Sequence, residues 1–224
     1  MTFTLHHKAV TTSTNLDARE GAPGDVFTAD EQTAGRGRLD HRWLSPPGKN
    51  LMMSAVFDVK GFDSERISTF PLIVGLAVRE AIMYFVPPNP PAVLLKWPND
   101  VLADGRKIAG ILCERTGDRV IAGIGLNVNQ TEFDEEIAAR ATSLALLRGE
   151  DGIRIESVRY AVLSALSAHY ETWRLHGFAA LHSDYAAVDA LTDEVDEYAV
   201  IGDCNNVGQI YHAINQGYYA ALRI

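Results

Sequence analysis

Apolar and polar positions divide the chain into short strand-like runs and two long helical stretches. Residues 3–10 read as a short strand, Val26 to Asp30 as a second, and "LMMSAVF" at 51–57 as an apolar third. Between the first two, "TTSTNLDARE" offers Ser, Thr and Asn caps before a short helix. Over 66–85 the apolar residues Ile67, Phe70, Ile73, Val74, Ala77 and Ala81 recur at helical spacing, with Pro71 in the first turn, where a missing N–H does no harm. "PPNPP" at 87–91 is a rigid break. Then "VLLKW", "KIAGILCE" and "VIAGIGLNV" follow, with Asp104-Gly105 as a hairpin signal, so residues 92–128 are expected to form an antiparallel meander. From 131 the texture turns helical. Its longest segment is Ser157 to His176, with Val158, Ala161, Val162, Ala165, Leu166 and Tyr170 on one face. Beyond about 190, Gly, Val and Tyr increase and "GDCNNVG" and "NQG" signal turns, which predicts a small β appendage. Strands and helices do not alternate one for one. The expected fold is therefore α+β, a mixed or antiparallel sheet with helices on one face, rather than a doubly wound parallel sheet.

At 224 residues the chain fits one ordinary domain with an appendage, and 47% hydrophobic residues suffice for a sizeable core. A formal net charge of −9 argues against a general nucleic-acid or anionic-membrane binder. The two cysteines, Cys113 and Cys204, show no metal-type CxxC spacing and suit a reduced compartment. The start "MTFTLHHKAV" lacks the pattern of a signal peptide, and "TFPLIVGLAV" is soon interrupted by Arg79 and Glu80. These features predict a soluble, cytoplasmic protein with neither nucleic acid nor membrane as partner.

Against that acidic background, "GRGRLDHRW" at 35–43 sets Arg36, Arg38 and Arg42 against one acid, Asp40. Gly35 and Gly37 let backbone approach an anion, and arginines supply fixed cationic forks for phosphate oxygens, although such pairs also occur in ordinary solvated loops. In "LKWPND" and "GRKIAGIL", Lys96 and Lys107 flank a hairpin at the edge of apolar runs. There each ammonium either finds an anionic partner or snorkels to water. Asn99-Asp100 reads equally as a turn. In "GIGLNVN" at 123–129, alternate glycines leave one strand face bare for neighbouring backbone or for a ligand.

Taken together, "STN" at 13–15, "QTAGRGR" at 32–38, "W.SPPG.NL" at 43–51, "KWPND" at 96–100, "K.AGIL" at 107–112 and "GIGLNVN" at 123–129 resemble the biotin protein ligases. The resemblance runs over most of residues 10 to 175. It implies a class II synthetase-like catalytic domain over 1–188 and a small SH3-like C-terminal β domain over 189–224. It also implies ATP-dependent ligation of biotin, through biotinyl-5′-AMP, to a lysine of a biotin carboxyl carrier protein. Biotin and ATP are then substrates, with Mg²⁺ on the phosphates. By the same resemblance Lys107, Arg36 and Arg38 neutralise the meeting of carboxylate and phosphate. Ser13, Thr14, Asn15 and Gln32 meet the ureido ring, and Gly35, Gly37, Gly110, Gly123 and Gly125 admit biotin. Asn99, Asp100, Asn127 and Trp43 lie near the adenylate, and Asp100 is the candidate metal ligand. Trp43 reads as a ligand cover or a core residue, and Trp97 as core.

Leu39-Asp40-His41 stand where many relatives continue the basic loop, which leaves Arg42 a minor phosphate candidate, and the C-terminal segment matches only loosely. Cys113 has no neighbouring base in the sequence and reads as a buried structural thiol. That weighs against an octanoyl transferase, which uses a cysteine nucleophile. Lipoate ligation lacks the "GRGR…KWPND" pairing. Twelve residues ahead of "STN" are too few for a winged-helix repressor domain. A homodimer is compatible with the sequence. The empty loop 35–43 is expected to be mobile and to order over the adenylate.

Overall fold

The strands are β1 (Thr4–Thr11), β2 (Asp25–Gln32), β3 (Leu51–Asp58), β4 (Val93–Lys96), β5 (Asp100–Ala103), β6 (Arg106–Thr116) and β7 (Arg119–Leu126). They form one sheet in the order β1-β2-β3-β7-β6-β5-β4 in the computed structural model, which describes residues 1–38, 42–86 and 92–190. The expectations for Leu39 to His41, for "PPNPP", for Cys204 and for the β appendage beyond 190 lie outside the described residues. β1 runs parallel to β2 and every other neighbouring pair is antiparallel, so the sheet is mixed, as expected. The predicted meander is β4 to β7. Asp104 and Gly105, with φ of 54° and 69°, supply the two left-handed residues of the tight hairpin between β5 and β6.

The helices are α1 (Thr14–Asp17), α2 (Ser64–Ser68), α3 (Phe70–Met83), α4 (Glu135–Ala138), α5 (Leu144–Arg148), α6 (Ile155–His176) and α7 (His182–Ala186). The long helices α3 and α6 pack on each other and on one sheet face, as the apolar spacing predicts. Phe57 of β3, Phe70 of α3 and Trp173 of α6 meet there, with Phe70 centred 5.3 Å from Phe57 and 5.2 Å from Trp173.

The single helix expected over 66–85 is two helices broken at Thr69. Its hydroxyl donates to the Arg66 carbonyl at 2.6 Å and accepts the buried Trp173 indole N–H at 2.8 Å. With Pro71 unable to donate a backbone bond, a side chain replaces part of the helical ladder. By length and composition alone Ser64–Phe85 could cross a membrane, contrary to the sequence expectation, yet it is mostly buried core here. The Asp63 carboxylate caps α2 by accepting the Arg66 N–H at 2.7 Å. Asp63→Ala is expected to cost about 1 kcal/mol in urea unfolding; an unchanged midpoint would show that α2 does not depend on its cap.

The opposite face carries short elements. α1 and the following 3-10 turn Ala18–Glu20 lie there, where Ala18, Val56 and Ile121 form a small separate cluster. Along β7 the alternation sends Ala122, Ile124 and Leu126 into the main core and therefore leaves Gly123 and Gly125 on the α1 face. Without side chains they make room beside α1, and the cavity lies in that room.

Candidate functional site

The cavity has a volume of about 440 Å³, within the about 300–1,000 Å³ typical of small-molecule sites. Gly110, Gly123 and Gly125 floor it. Sequence left two candidates to cover these glycines, backbone or ligand, and the structure shows a third. A Cβ on Gly123 would lie 2.8 Å from Asn15 Cγ, and one on Gly125 would lie 2.6 Å from Trp43 Cζ2. Both are far inside ordinary contact, so the floor is shaped to hold an amide and an indole flat against it.

One end is neutral and rich in hydrogen bonds. Ser13, at the N-cap position of α1, is buried but makes no capping bond with its side chain. Gln32 Oε1, at the end of β2, accepts from Thr14 N–H at 2.8 Å and from the Thr14 hydroxyl at 3.1 Å. Ser54, fully buried on β3, lies 2.7 Å from Thr14 Oγ1 and 2.6 Å from Asn15 Oδ1. Asn15 Nδ2 donates to the Leu112 carbonyl at 3.2 Å and to Glu114 Oε2 at 2.8 Å.

The other end, at Lys107, is cationic. Arg36, Arg38 and Arg42 also line the cavity, and among the described lining residues Asp100 is the one acidic side chain. Lys107 Nζ lies 2.7 Å from Asp100 Oδ1. A bulge aims this lysine. Val101 pairs with Ala109 but Leu102 pairs with Lys107, so Ile108 is the extra residue, and Ile108 and Ala109 both enter the core. The parity change turns Lys107 from the helix-covered face to the cavity, a common use of bulges beside binding sites. Backbone bonds from Lys107 N–H to the Arg140 carbonyl (2.7 Å) and from Thr142 N–H to the Lys107 carbonyl (2.9 Å) hold it there.

The loop is tied down at both ends. Trp43 N–H donates to the Gly35 carbonyl at 3.0 Å, Arg42 Nη2 to the Thr33 carbonyl at 3.2 Å, and Arg36 Nη1 to both Glu114 oxygens at 2.9 and 3.1 Å. Arg38 is exposed and makes no ion pair among the described residues. Limited trypsin digestion should therefore cut after Arg38 before Arg36 or Arg42. Equal cutting at all three would refute this.

Most predicted residues meet here, including Gly37 and the Asn99-Asp100 turn. Asn99 stitches that turn to β6, donating from Nδ2 to the Ile111 carbonyl at 3.1 Å. Two do not line the cavity. Asn127 is buried and braces Thr142, donating to its carbonyl at 2.9 Å, and Gly35 sits behind the loop against Trp43. Trp97, read as core, is 41% exposed and forms the cavity wall with Pro98, because β4 ends at Lys96 and the chain turns outward at the rim. Lys96 is exposed, the snorkelling alternative. Two residues escaped the sequence reading. Ser54 is the lone polar residue in "LMMSAVF", and Glu114 continues the cavity-side alternation of Gly110 and Leu112; both signals were present in the strand parity.

Cys113 is half-buried, and its thiol is pushed up to about 12 by burial and then by the neighbouring Glu114 charge. It has no thiolate character near neutral pH and is no nucleophile. Among the described residues no group of three or more His, Cys, Asp or Glu side chains could hold a metal. Asp100 is a single carboxylate in the described lining, too few to hold a Mg²⁺ without oxygens supplied by a ligand.

A cavity on one face of a mixed sheet, with a neutral amide-rich end and a cationic end, suits a small ligand that pairs a neutral polar head with negative charge. Residues 7–130 match the biotin/lipoate A/B protein ligase family, and the chain belongs to it. It is 38% identical over 187 residues to the biotin–[acetyl-CoA-carboxylase] ligase of Mycobacterium tuberculosis, covering 80% of this chain and 68% of that protein. It is 33% identical over 189 residues to the bifunctional ligase/repressor BirA of Bacillus spizizenii, covering 79% of this chain but 57% of that one. Among solved structures, biotin protein ligase from Aquifex aeolicus in complex with biotin and ATP superposes with a TM-score of 0.74 at 34% identity, covering 83% of this chain and 78% of that one.

Proposed function

We infer that the chain activates biotin with ATP to biotinyl-5′-AMP and transfers the biotinyl group to a lysine of a biotin carboxyl carrier protein. The observation that carries this reading is the opposition of the two cavity ends across a glycine floor. Ser13, Thr14, Asn15 and Gln32 present neutral donors and acceptors suited to a ureido ring, while Lys107 and Arg38 present positive charge suited to a carboxylate and a phosphate. Membership of the biotin/lipoate family supports it.

The chemistry needs no enzyme nucleophile. The biotin carboxylate attacks the α-phosphorus and pyrophosphate leaves; the carrier amine then attacks the acyl carbon and AMP leaves. Two anions must approach each other, so catalysis consists of positioning and charge neutralisation. Lys107 is held ready by Asp100 and can bridge carboxylate and phosphate oxygens without giving up a proton. A Mg²⁺ bound by the phosphates and Asp100 would add further neutralisation of phosphate charge. Trp43, already flat on Gly125, walls the acyl chain and excludes water from a hydrolysable anhydride. The net charge of −9 favours a protein acceptor over nucleic acid, and a cytoplasmic place of action accords with the composition.

Incubation with biotin, ATP, Mg²⁺ and a carrier domain should add one biotinyl mass to the carrier. Lipoate and octanoate should give none. Transfer of lipoate at a comparable rate would move the chain to the acyl-ligase side of its family.

A further inference from the structure

We propose that Glu114, which lies behind the cavity lining, is a positioning residue that anchors Arg36 and fixes the orientation of Asn15. The proposal rests on the ligase reading above.

Glu114 lies on β6 two residues past Leu112, on the cavity side of the strand, with its side chain 23% exposed. One carboxylate serves both parts of the site. Oε2 accepts Asn15 Nδ2 at 2.8 Å, and Arg36 Nη1 approaches Oε1 and Oε2 at 2.9 and 3.1 Å; Arg19 Nη2 stands further out, at 3.7 Å from Oε1.

The consequence for Asn15 is orientational. An ionised carboxylate only accepts, so it selects the amide rotamer that turns Nδ2 toward it. Nδ2 also reaches the Leu112 carbonyl, and Oδ1 is left facing the Ser54 hydroxyl at 2.6 Å over Gly123. A neutral amide at position 114 would present a donor as readily as an acceptor, leaving the longer bond to the Leu112 carbonyl alone to set the polarity of Asn15.

The consequence for Arg36 is electrostatic. Its guanidinium is already matched by a carboxylate, whereas Arg38 makes no ion pair among the described residues. The two loop arginines therefore divide the labour that sequence assigns to both. Arg38 supplies charge to phosphate, and Arg36 holds the Gly35–Gly37 backbone against the sheet. A half-exposed ion pair adds little to stability, so its value here is geometric. Through Glu114 the ring end and the loop are set by a single group.

The test is steady-state kinetics of biotinyl-adenylate formation by the full chain with Glu114→Gln, alone and combined with Arg36→Ala. Glu114→Gln keeps shape and strand, and a thermal melt matching the parent confirms folding. The biotin KM should rise by at least about tenfold while kcat and the ATP KM stay within about threefold. Arg36→Ala should raise the biotin KM in the parent but change it by less than about threefold once Glu114 is gone, because the two act as one unit. Glu114→Asp, which keeps the charge on a shorter stem, should fall between parent and Gln variant. A biotin KM within about threefold of the parent, multiplicative effects of the two substitutions, or an Asp variant worse than the Gln variant overturns the proposal. A parent that forms no biotinyl-adenylate overturns the ligase reading; an active parent with an unaffected Glu114→Gln overturns only the role of Glu114.

Discussion

Lys107→Ala should slow biotinyl-5′-AMP formation by about 10²–10³-fold, equivalent to about 2.7–4 kcal/mol of barrier, and leave the fold intact. Two effects combine. The substitution removes the ammonium that, on the proposed reading, neutralises the meeting of carboxylate and phosphate. It also strips Asp100 of its 2.7 Å partner, so the cavity acquires an uncompensated carboxylate facing an anionic reaction. Stability should change little, since the side chain is 38% exposed and its position is fixed through backbone bonds that alanine can also make. Lys107→Arg should recover part of the rate, because charge is kept but a planar fork replaces a compact ammonium. Pyrophosphate release measured in single turnover decides the matter: a rate within about threefold of the parent would remove Lys107 from the reacting centre.

Much of this site is legible in the sequence because its logic is local. The alternate glycines of "GIGLNVN", the "GRGR" loop and the caps of "STN" declare themselves by residue type, and Asp104-Gly105 fixes the meander that brings "KWPND" and "KIAGIL" together. What sequence cannot show is where strand parity breaks and which distant segments converge. Simple alternation puts Lys107 on the same face as Ala109 and Ile111, and only the bulge at Ile108 brings it into the cavity. Helical spacing runs smoothly through Thr69, yet the chain breaks there because the Trp173 indole, over a hundred residues away, completes the hydrogen bonding of its hydroxyl. Trp97 has the composition of a core residue and is displaced to the wall by the end of a strand. Glu114 looks like an ordinary surface acid until Asn15 and Arg36, from two distant segments, converge on it.

Gly123→Ala should lower both stability and biotin affinity, whereas Gly125→Ala should lower affinity with little loss of stability. Neither glycine has a positive φ, so alanine fits the backbone at both and the effect is steric. At Gly123 the new methyl meets Asn15, whose Cγ and Nδ2 lie 2.8 and 3.0 Å from the Cβ position. Neither side can yield. β7 is paired here with Ser54 of β3 and Leu112 of β6, and Asn15 is held between Ser54, the Leu112 carbonyl and Glu114. Overpacking of this kind costs about 1–3 kcal/mol, and each broken hydrogen bond adds about 0.5–1.5 kcal/mol. At Gly125 the methyl meets the indole of Trp43 instead, a half-buried side chain on a loop, which can swing away at small cost but then no longer lies flat on the floor. Urea unfolding and calorimetric biotin titration on the two variants separate the cases. Gly123→Ala with stability within about 0.5 kcal/mol of the parent, the range of an ordinary surface substitution, would show that Asn15 is not held against the sheet. Unaltered biotin binding by Gly125→Ala would show that the glycine floor serves packing alone.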